Sequence, residues 1–413
     1  MADMLGTARP GPTDRSDAVG RARDLLARHP LVDGHNDLPW EAREQTRYDF
    51  DALDIGGRVS TTQTDLPRLA DGGVGGQFWS VFVPSTLQGD SAVTATLEQV
   101  DAVHRMIATY ADRLALARTA DEVDRAFENG RIASLLGAEG GHSIGCSLAT
   151  LRQLHVLGVR YLTLTHNDNT PWADSATDLP VVGGLSEFGR EVVREMNRLG
   201  MMVDLSHVAA TTMRAALETT ASPVIFSHSS ALALCDTPRN VPDDVLAALP
   251  ANGGTCMVTF VPEFVSPDTA AWRAEASAAA AEVGVDAKDW VAFGRFTAVW
   301  QQQHPKPDAT IEQVVAHVEH VREVAGIDHV GIGGDYDGTD TFPIGLADVT
   351  GYPRLVAALL ERRWSEDDLA KLVRGNTLRV MRDVEAVARD LQTTRGPSLH
   401  TFAELDGPQA DTV

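Results

Sequence analysis

The sequence predicts a closed (β/α)₈ barrel, an α/β fold in a single domain. Three observations predict it. Short apolar runs alternate with segments of helical periodicity, the pattern of a parallel sheet wrapped by helices. Eight such runs occur, which fits a closed barrel better than a doubly wound sheet. No GxGxxG follows the first run and no Walker sequence is present, so a nucleotide-binding fold has little support.

The eight runs come in order: "LVDGHND" (31–37), "GGQFWSVFV" (75–83), "IASLLGAEG" (132–140), "YLTLTH" (161–166), "MMVDLSH" (201–207), "PVIFSHS" (223–229), "GGTCMVTFV" (253–261) and "HVGIGGDYDG" (329–338). Between them, "LEQVDAVHRMIATYADRLALA" and "LSEFGREVVREMNRLG" have helical spacing. The second ends in Gly200, a helix stop. An insertion over 262–310 separates the seventh and eighth runs, and "AAWRAEASAAAAEVGV" and "DWVAFGRFTAVWQQQH" within it read as helices. Surface packing is its plainest role; a lid or a dimer contact is the sharper one. "PRLVAALLERRWSEDDLAKLVRGNTLRVMRDVEAVARD" reads as two or more closing helices. The expected organisation is an N-terminal segment and first helix (1–30), a barrel (31–388) and a tail (389–413), with the start and "TTRGPSLHTFAELDGPQADTV" loose.

The bulk properties narrow the function. The 413 residues are 43% hydrophobic, enough for a large core, and the formal net charge is −23. Nucleic acid and anionic membrane surfaces attract basic patches, so neither is an expected partner. Cys146, Cys235 and Cys256 make no disulfide framework and no zinc CxxC pattern, which suits a reducing compartment. No apolar leader or membrane-spanning run is evident, so the expectation is a soluble cytoplasmic protein.

In such a barrel the chemistry sits at the C-terminal ends of the strands. Metal-ligand residue types recur at those ends: His35 and Asp37, Glu139, His166, His207, His228, then Asp335 and Asp337. His35 and Asp37 are two apart, so both can face one cation while Asn36 points away. Each residue alone has a plainer reading: a turn after a strand, a helix-start histidine with Ser206 as its cap, a loop carboxylate between glycines. Together they converge on one mouth. A buried charge there needs neutralising. Imidazole with carboxylate suits Zn²⁺, with Mn²⁺, Co²⁺ or Fe²⁺ as competitors. Five ligands exceed the three usual for one catalytic zinc. Two ions use them all: His35 and Asp37 on one, His207 and His228 on the other, Glu139 bridging. No lysine lies at a strand end to supply a modified bridge or a Schiff base.

"DGHNDLPW", "GGQFWSVF", "EGGH", "LTHN", "VDLSH", "SHS", "RNVPDD" and "GIGGDYDG" occur in this order over about residues 31–385. In this the chain resembles the membrane dipeptidase (renal dipeptidase) family of the amidohydrolase superfamily. The resemblance implies a distorted barrel, two zinc ions bridged by Glu139 and hydroxide, hydrolysis of dipeptides, and a homodimer. It implies that His35, Asp37, Glu139, His207 and His228 are the ligands and that Asp335 is the catalytic acid/base. His166 would polarise the scissile carbonyl, and Arg239 would clamp the substrate's C-terminal carboxylate. Asp337 keeps the plainer role of capping or orienting a turn. Trp40 and Trp79 line the mouth or belong to the core. A D-residue at the C-terminal substrate position is compatible with this reading. The rivals are another metal-dependent hydrolase, acting on a lactone or phosphoester, and a non-catalytic ligand-binding barrel.

Overall fold

The computed structural model describes residues 12–407. Nine strands are present among them: β1 Leu31–Asn36, β2 Val74–Phe82, β3 Leu114–Leu116, β4 Ile132–Glu139, β5 Val159–Thr163, β6 Met202–Asp204, β7 Val224–Phe226, β8 Thr255–Val258 and β9 Val330–Ile332. Eight of them pair in parallel in the order β1-β2-β4-β5-β6-β7-β8-β9. The ring closes beyond the strand ends, where Asp37 N donates to Tyr336 O at 2.9 Å and Asp335 N to His35 O at 3.2 Å. The result is a distorted, nearly closed barrel, and the closure itself draws the ends of β1 and β9 together. Helices and strands alternate around it, which is why both strand faces are buried and the runs read as continuous apolar stretches.

The eight expected runs correspond to β1, β2 and β4–β9. The ninth strand corrects the helical reading of "LEQVDAVHRMIATYADRLALA". That helix, Gly89–Thr109, stops at Tyr110, whose hydroxyl bonds Asp54 Oδ1 at 3.0 Å. Leu114–Leu116 then pairs with Ile132–Ser134 as β3. The reason lies in β4: β5 joins it only from Leu136 onward, so its first residues have an open edge to fill. The helix Glu187–Leu199 behaves as its sequence suggests. Ser186 Oγ caps Gly189 N at 3.2 Å, and Gly200 ends it at φ 82°.

The expected insertion helices are Pro267–Glu282 and Trp290–Trp300, after a short turn of helix, Pro262–Val265. They bury Trp272, Ala276, Ala280 and Phe293 in a small core of their own. Lys288 ties this arm to Asp168 and, at 3.4 Å, to Asp178, both on the loop that follows His166. The arm therefore packs on the surface and also reaches the mouth. The closing helices are Tyr352–Glu361, Glu366–Ala370 and Asn376–Thr394, the last preceded by a π turn at Lys371–Gly375.

The expectation of a loose tail is corrected up to residue 407. Arg395 pairs with Glu191, Arg152 Nη1 bonds Ser398 O at 2.9 Å, and Phe402 meets the Phe188 ring at 5.5 Å. Two buried carboxylates on the Glu187–Leu199 helix, Glu191 and Glu195, draw this segment in by offering acceptors. The expected loose start lies largely outside the described residues.

One buried group away from the barrel mouth sets an acid limit. His317, on the helix Ile311–Ala325, accepts from Ala231 N at 3.0 Å, and its Nε2 sits 3.2 Å from Val265 O. Burial lowers its pKa to about 4. Above pH 6.5 neither the folded nor the unfolded chain protonates it. Below that, the unfolded chain takes up a proton the folded chain refuses, so stability falls until about pH 4, by up to about 3 kcal/mol. Urea unfolding of His317→Gln between pH 7 and 4 is expected to show a shallower acid slope than wild type. Equal slopes would contradict the assignment.

Candidate metal centre

β1 carries His35, and Asp37 follows just past its end, before the helix Leu38–Thr46. Their facing atoms, His35 Nε2 and Asp37 Oδ2, are 3.2 Å apart. Asn36 points away, as its alternation requires, and bonds Thr64 Oγ1 at 2.8 Å. β4 ends on Glu139, which stands between two groups: Oε2 is 3.4 Å from His35 Nε2, and Oε1 is 3.0 Å from His207 Nε2 and 3.4 Å from His228 Nε2. His207 and His228 bring their Nε2 atoms to 2.9 Å of each other. Two donor triplets thus share one carboxylate: His35–Asp37–Glu139 and Glu139–His207–His228, with Asp335 grouped near His35 and His228. All are buried.

The electrostatics calls for positive charge. Burial opposes a charged His35, yet Tyr161, Glu139 and Asp37 together hold its pKa well above the ordinary range. Burial would raise Glu139, but His35, His207 and His228 hold it well below the ordinary carboxylate range. Burial and the charge of His35 push His228 down, and burial with Arg239 pushes His207 down, so both stay neutral with lone pairs available. Three electron-pair donors converge on the point between Glu139 Oε1, His207 and His228. A proton can serve one pair of them; a cation serves all three. The donor set fits divalent metals that take imidazole and carboxylate.

Backbone geometry at the site is unusual. His207, Asp335 and Asp337 have φ of 67°, 62° and 65°, the left-handed region that non-glycine residues rarely occupy. Gly338 is required here: a Cβ would lie 2.4 Å from Asp335 Oδ1 and 2.6 Å from Asp37 Oδ2. Gly34 likewise lets Met257 and the Ser227 carbonyl approach β1.

The model of the family described as Membrane dipeptidase (Peptidase family M19) matches residues 19–395. The chain belongs to this family. It is 43% identical to human Dipeptidase 3 over 92% of its own length and 70% of that protein's. Among solved structures it is similar to a metallo peptidase from Rhodobacter sphaeroides liganded with a phosphinate mimic of the dipeptide L-Ala-D-Ala, at TM-score 0.71 and 26% identity, covering 86% of this chain and 99% of that one. The probable dipeptidase PvdM from Pseudomonas aeruginosa shares the fold at TM-score 0.78, with 23% identity over 90% of this chain and 100% of that one. The family's description names a membrane, which does not support the expectation of no membrane partner. No helix among the described residues is long and apolar enough to cross one.

In this member of the membrane dipeptidase family the remaining expected residues also sit at the mouth. His166 is buried; its ring lies 4.4 Å from that of His207 and 4.8 Å from that of Phe82. Burial lowers its pKa to about 4. Arg239 is 3% exposed, and no carboxylate pairs with it among the described residues. Its Nη2 reaches His228 O at 3.4 Å and its Nη1 reaches Ser229 Oγ at 3.5 Å, while Nε has no partner. Asp337 orients a turn: its Oδ1 accepts from Gln63 N at 2.7 Å, and its own N–H bonds Gln63 Oε1 at 2.6 Å. Trp79 is wholly buried in the core, and Trp40 meets Phe82 edge-on at 5.0 Å.

Ser206 is not a helix cap. The next helix starts at Ala210 behind Ala209, and Ser206 Oγ instead accepts from His228 N at 3.0 Å. Four residues to which the sequence reading assigns no role hold the ligands. Tyr161 OH lies 2.8 Å from His35 Nδ1, and Ser80 Oγ bonds Glu139 Oε2 at 3.1 Å. Asp33 accepts from His35 N at 2.8 Å, Gln77 Nε2 at 2.9 Å, Gly334 N at 2.9 Å and Tyr352 OH at 2.6 Å. It thereby locks β1 to the turn that carries Asp335. Asp204 plays the matching part on β6. The shared signal is an Asp shortly before each histidine, in "VDGH" and "VDLSH".

Proposed function

We propose that the chain is a binuclear zinc dipeptidase that hydrolyses the peptide bond of dipeptides. The observation that carries the reading is the pair of donor triplets joined by Glu139 beside a buried Arg239 with which no carboxylate pairs directly among the described residues. Family membership supports the peptidase class.

When bound, two such cations acidify a water and polarise a carbonyl oxygen. His35 and Asp37 would hold one ion, His207 and His228 the other, with Glu139 between them. Asp335 accepts the proton lost by the attacking water as the new C–O bond forms. It then delivers that proton to the departing amine as the C–N bond breaks. His166, neutral at pH 7, donates a hydrogen bond to the carbonyl oxygen as negative charge gathers there. Arg239 offers a planar fork to the substrate's C-terminal carboxylate. A dipeptide carries that carboxylate one residue past the scissile bond; a lactone or phosphoester does not. Acceptance of a D-residue at that end draws support from the L-Ala-D-Ala mimic bound by the Rhodobacter sphaeroides relative. A homodimer and a cytoplasmic location stay proposals, supported by the family resemblance and by cysteine usage.

The test compares free dipeptides with their C-terminal amides. Wild type is expected to lose on the order of 100-fold in kcat/KM on amidation, because a buried charge loses its partner. Arg239→Met should lower the rate on free dipeptides and leave the amides little changed. Equal rates for the two substrate forms in wild type would reject the Arg239 clamp, and no hydrolysis of free dipeptides would reject the dipeptidase reading.

A further inference from the structure

A ligand histidine binds a metal through one ring nitrogen only if its proton sits on the other, and the partner of that other nitrogen decides the matter. Around His228 the hydrogen bonds form an ordered chain. His228 Nδ1 lies 2.8 Å from Ser227 Oγ, and Ser227 Oγ lies 2.6 Å from Asp204 Oδ2. The other acceptor in reach of that hydroxyl, Ser206 Oγ, is farther, at 3.4 Å.

Asp204 is fully buried, and no cationic side chain pairs with it among the described residues. It is held by donors alone, divided between its two oxygens. Oδ1 takes the backbone N–H groups of Ser227 at 2.8 Å and Ser206 at 3.2 Å. Oδ2 takes the hydroxyls of Thr163 at 2.5 Å and Ser227 at 2.6 Å. An ionised carboxylate can only accept. The Ser227 hydroxyl must therefore donate to Asp204, which leaves its oxygen to accept from His228 Nδ1–H. The lone pair of His228 Nε2 is then directed at Glu139 Oε1 and His207 Nε2, 3.4 and 2.9 Å away. His207 has no such device among the described residues, since its buried Nδ1 lacks a partner.

We propose that Asp204, acting through Ser227, is the positioning residue that fixes the metal-binding tautomer of His228. This rests on the binuclear reading above, and it makes Asp204 the control point for the ion held by Glu139, His207 and His228.

Asp204→Asn gives a directional test. The two backbone donors fix the amide's orientation, so its oxygen stays at the Oδ1 position and its NH₂ replaces Oδ2. That NH₂ donates to Ser227 Oγ, whose hydroxyl turns to donate to His228 Nδ1. His228 must then carry its proton on Nε2, where it cannot bind a metal. Affinity for one of two zinc ions, measured by chelator competition, is expected to fall by about 10- to 100-fold. The ligand-field spectrum of the Co²⁺-loaded protein should lose the contribution of one site. Ser227→Ala, which lets either tautomer form, should lose affinity measurably but less than Asp204→Asn, by about tenfold. Adding Ser227→Ala to Asp204→Asn should restore affinity toward the Ser227→Ala value, because the inverted donor is gone.

A purely structural role predicts the opposite order, with the double variant weaker than either single one and a metal-free unfolding midpoint that falls in step with affinity. That order would overturn the proposal, as would unchanged affinity in Asp204→Asn. Should Asp204→Asn fail to fold, Ser227→Ala decides alone: a weakened single site supports the proposal and wild-type affinity overturns it. Wild-type protein that binds no metal would instead refute the parent reading.

Discussion

Asp335→Asn is expected to lower kcat by about 10²- to 10⁴-fold while the metal content stays at the wild-type level. Asp335 stands on the turn after β9, pinned by its N–H to His35 O at 3.2 Å and by Gly338 N to its own carbonyl at 3.2 Å. Its Oδ1 is 3.9 Å from His35 Nε2, farther than either carboxylate that completes the first triplet, Asp37 at 3.2 Å or Glu139 at 3.4 Å. Burial, with Asp37 and Glu139, raises its pKa well above the ordinary range against the pull of His35. It is thus a carboxyl that can hold a proton close to the cluster without being needed to complete either triplet. Asparagine keeps the shape and tolerates the left-handed φ of 62°, but it cannot carry the proton. Metal analysis and steady-state kinetics on one preparation check this. Loss of metal along with activity would make Asp335 a ligand and leave the proton without a carrier.

Glu139→Ala is expected to abolish both metal binding and hydrolysis. Glu139 is the residue common to the two triplets of the proposed centre, and its removal leaves each with two donors, His35 with Asp37 and His207 with His228. The group His35–His228–Asp335 does not include Glu139, and the Asp335 carboxyl is the one assigned to carry the proton. A two-donor remnant falls short of the three protein ligands a catalytic zinc uses. Because a metal that binds only the folded chain raises its stability, added Zn²⁺ should lift the melting temperature of wild type and leave that of Glu139→Ala nearly unchanged. A Glu139→Ala protein that still holds two ions would show that the carboxylate is not the bridge.

The positions of the metal-ligand candidates could be read from sequence for a physical reason. In a parallel barrel the strand ends are the one place where charged residues following an apolar run can meet, so His35, Glu139, His207 and His228 had a common destination. The residues that orient them could not be read this way. Asp33 and Asp204 find their partners on elements distant in sequence, at Gly334 past β9, Tyr352 on a closing helix, Thr163 on β5 and Ser227 past β7, and those pairings exist only once the barrel is closed. Ser206 looks like a cap because Ser often is one; with His207 in a left-handed turn, the Ser206 hydroxyl instead accepts from the backbone N–H of His228, just past β7. β3 was hidden because "LALA" suits helix and strand alike, and only the open edge of β4 decides between them. The docked tail was missed because the carboxylates that receive it, Glu191 and Glu195, lie about 200 residues earlier in the chain.

Two divalent cations are expected between His35, Asp37, Glu139, His207 and His228. Elemental analysis of fully active, purified protein tests this most directly, and close to two divalent ions per chain is the expected result. One ion or none, at full activity, would contradict it.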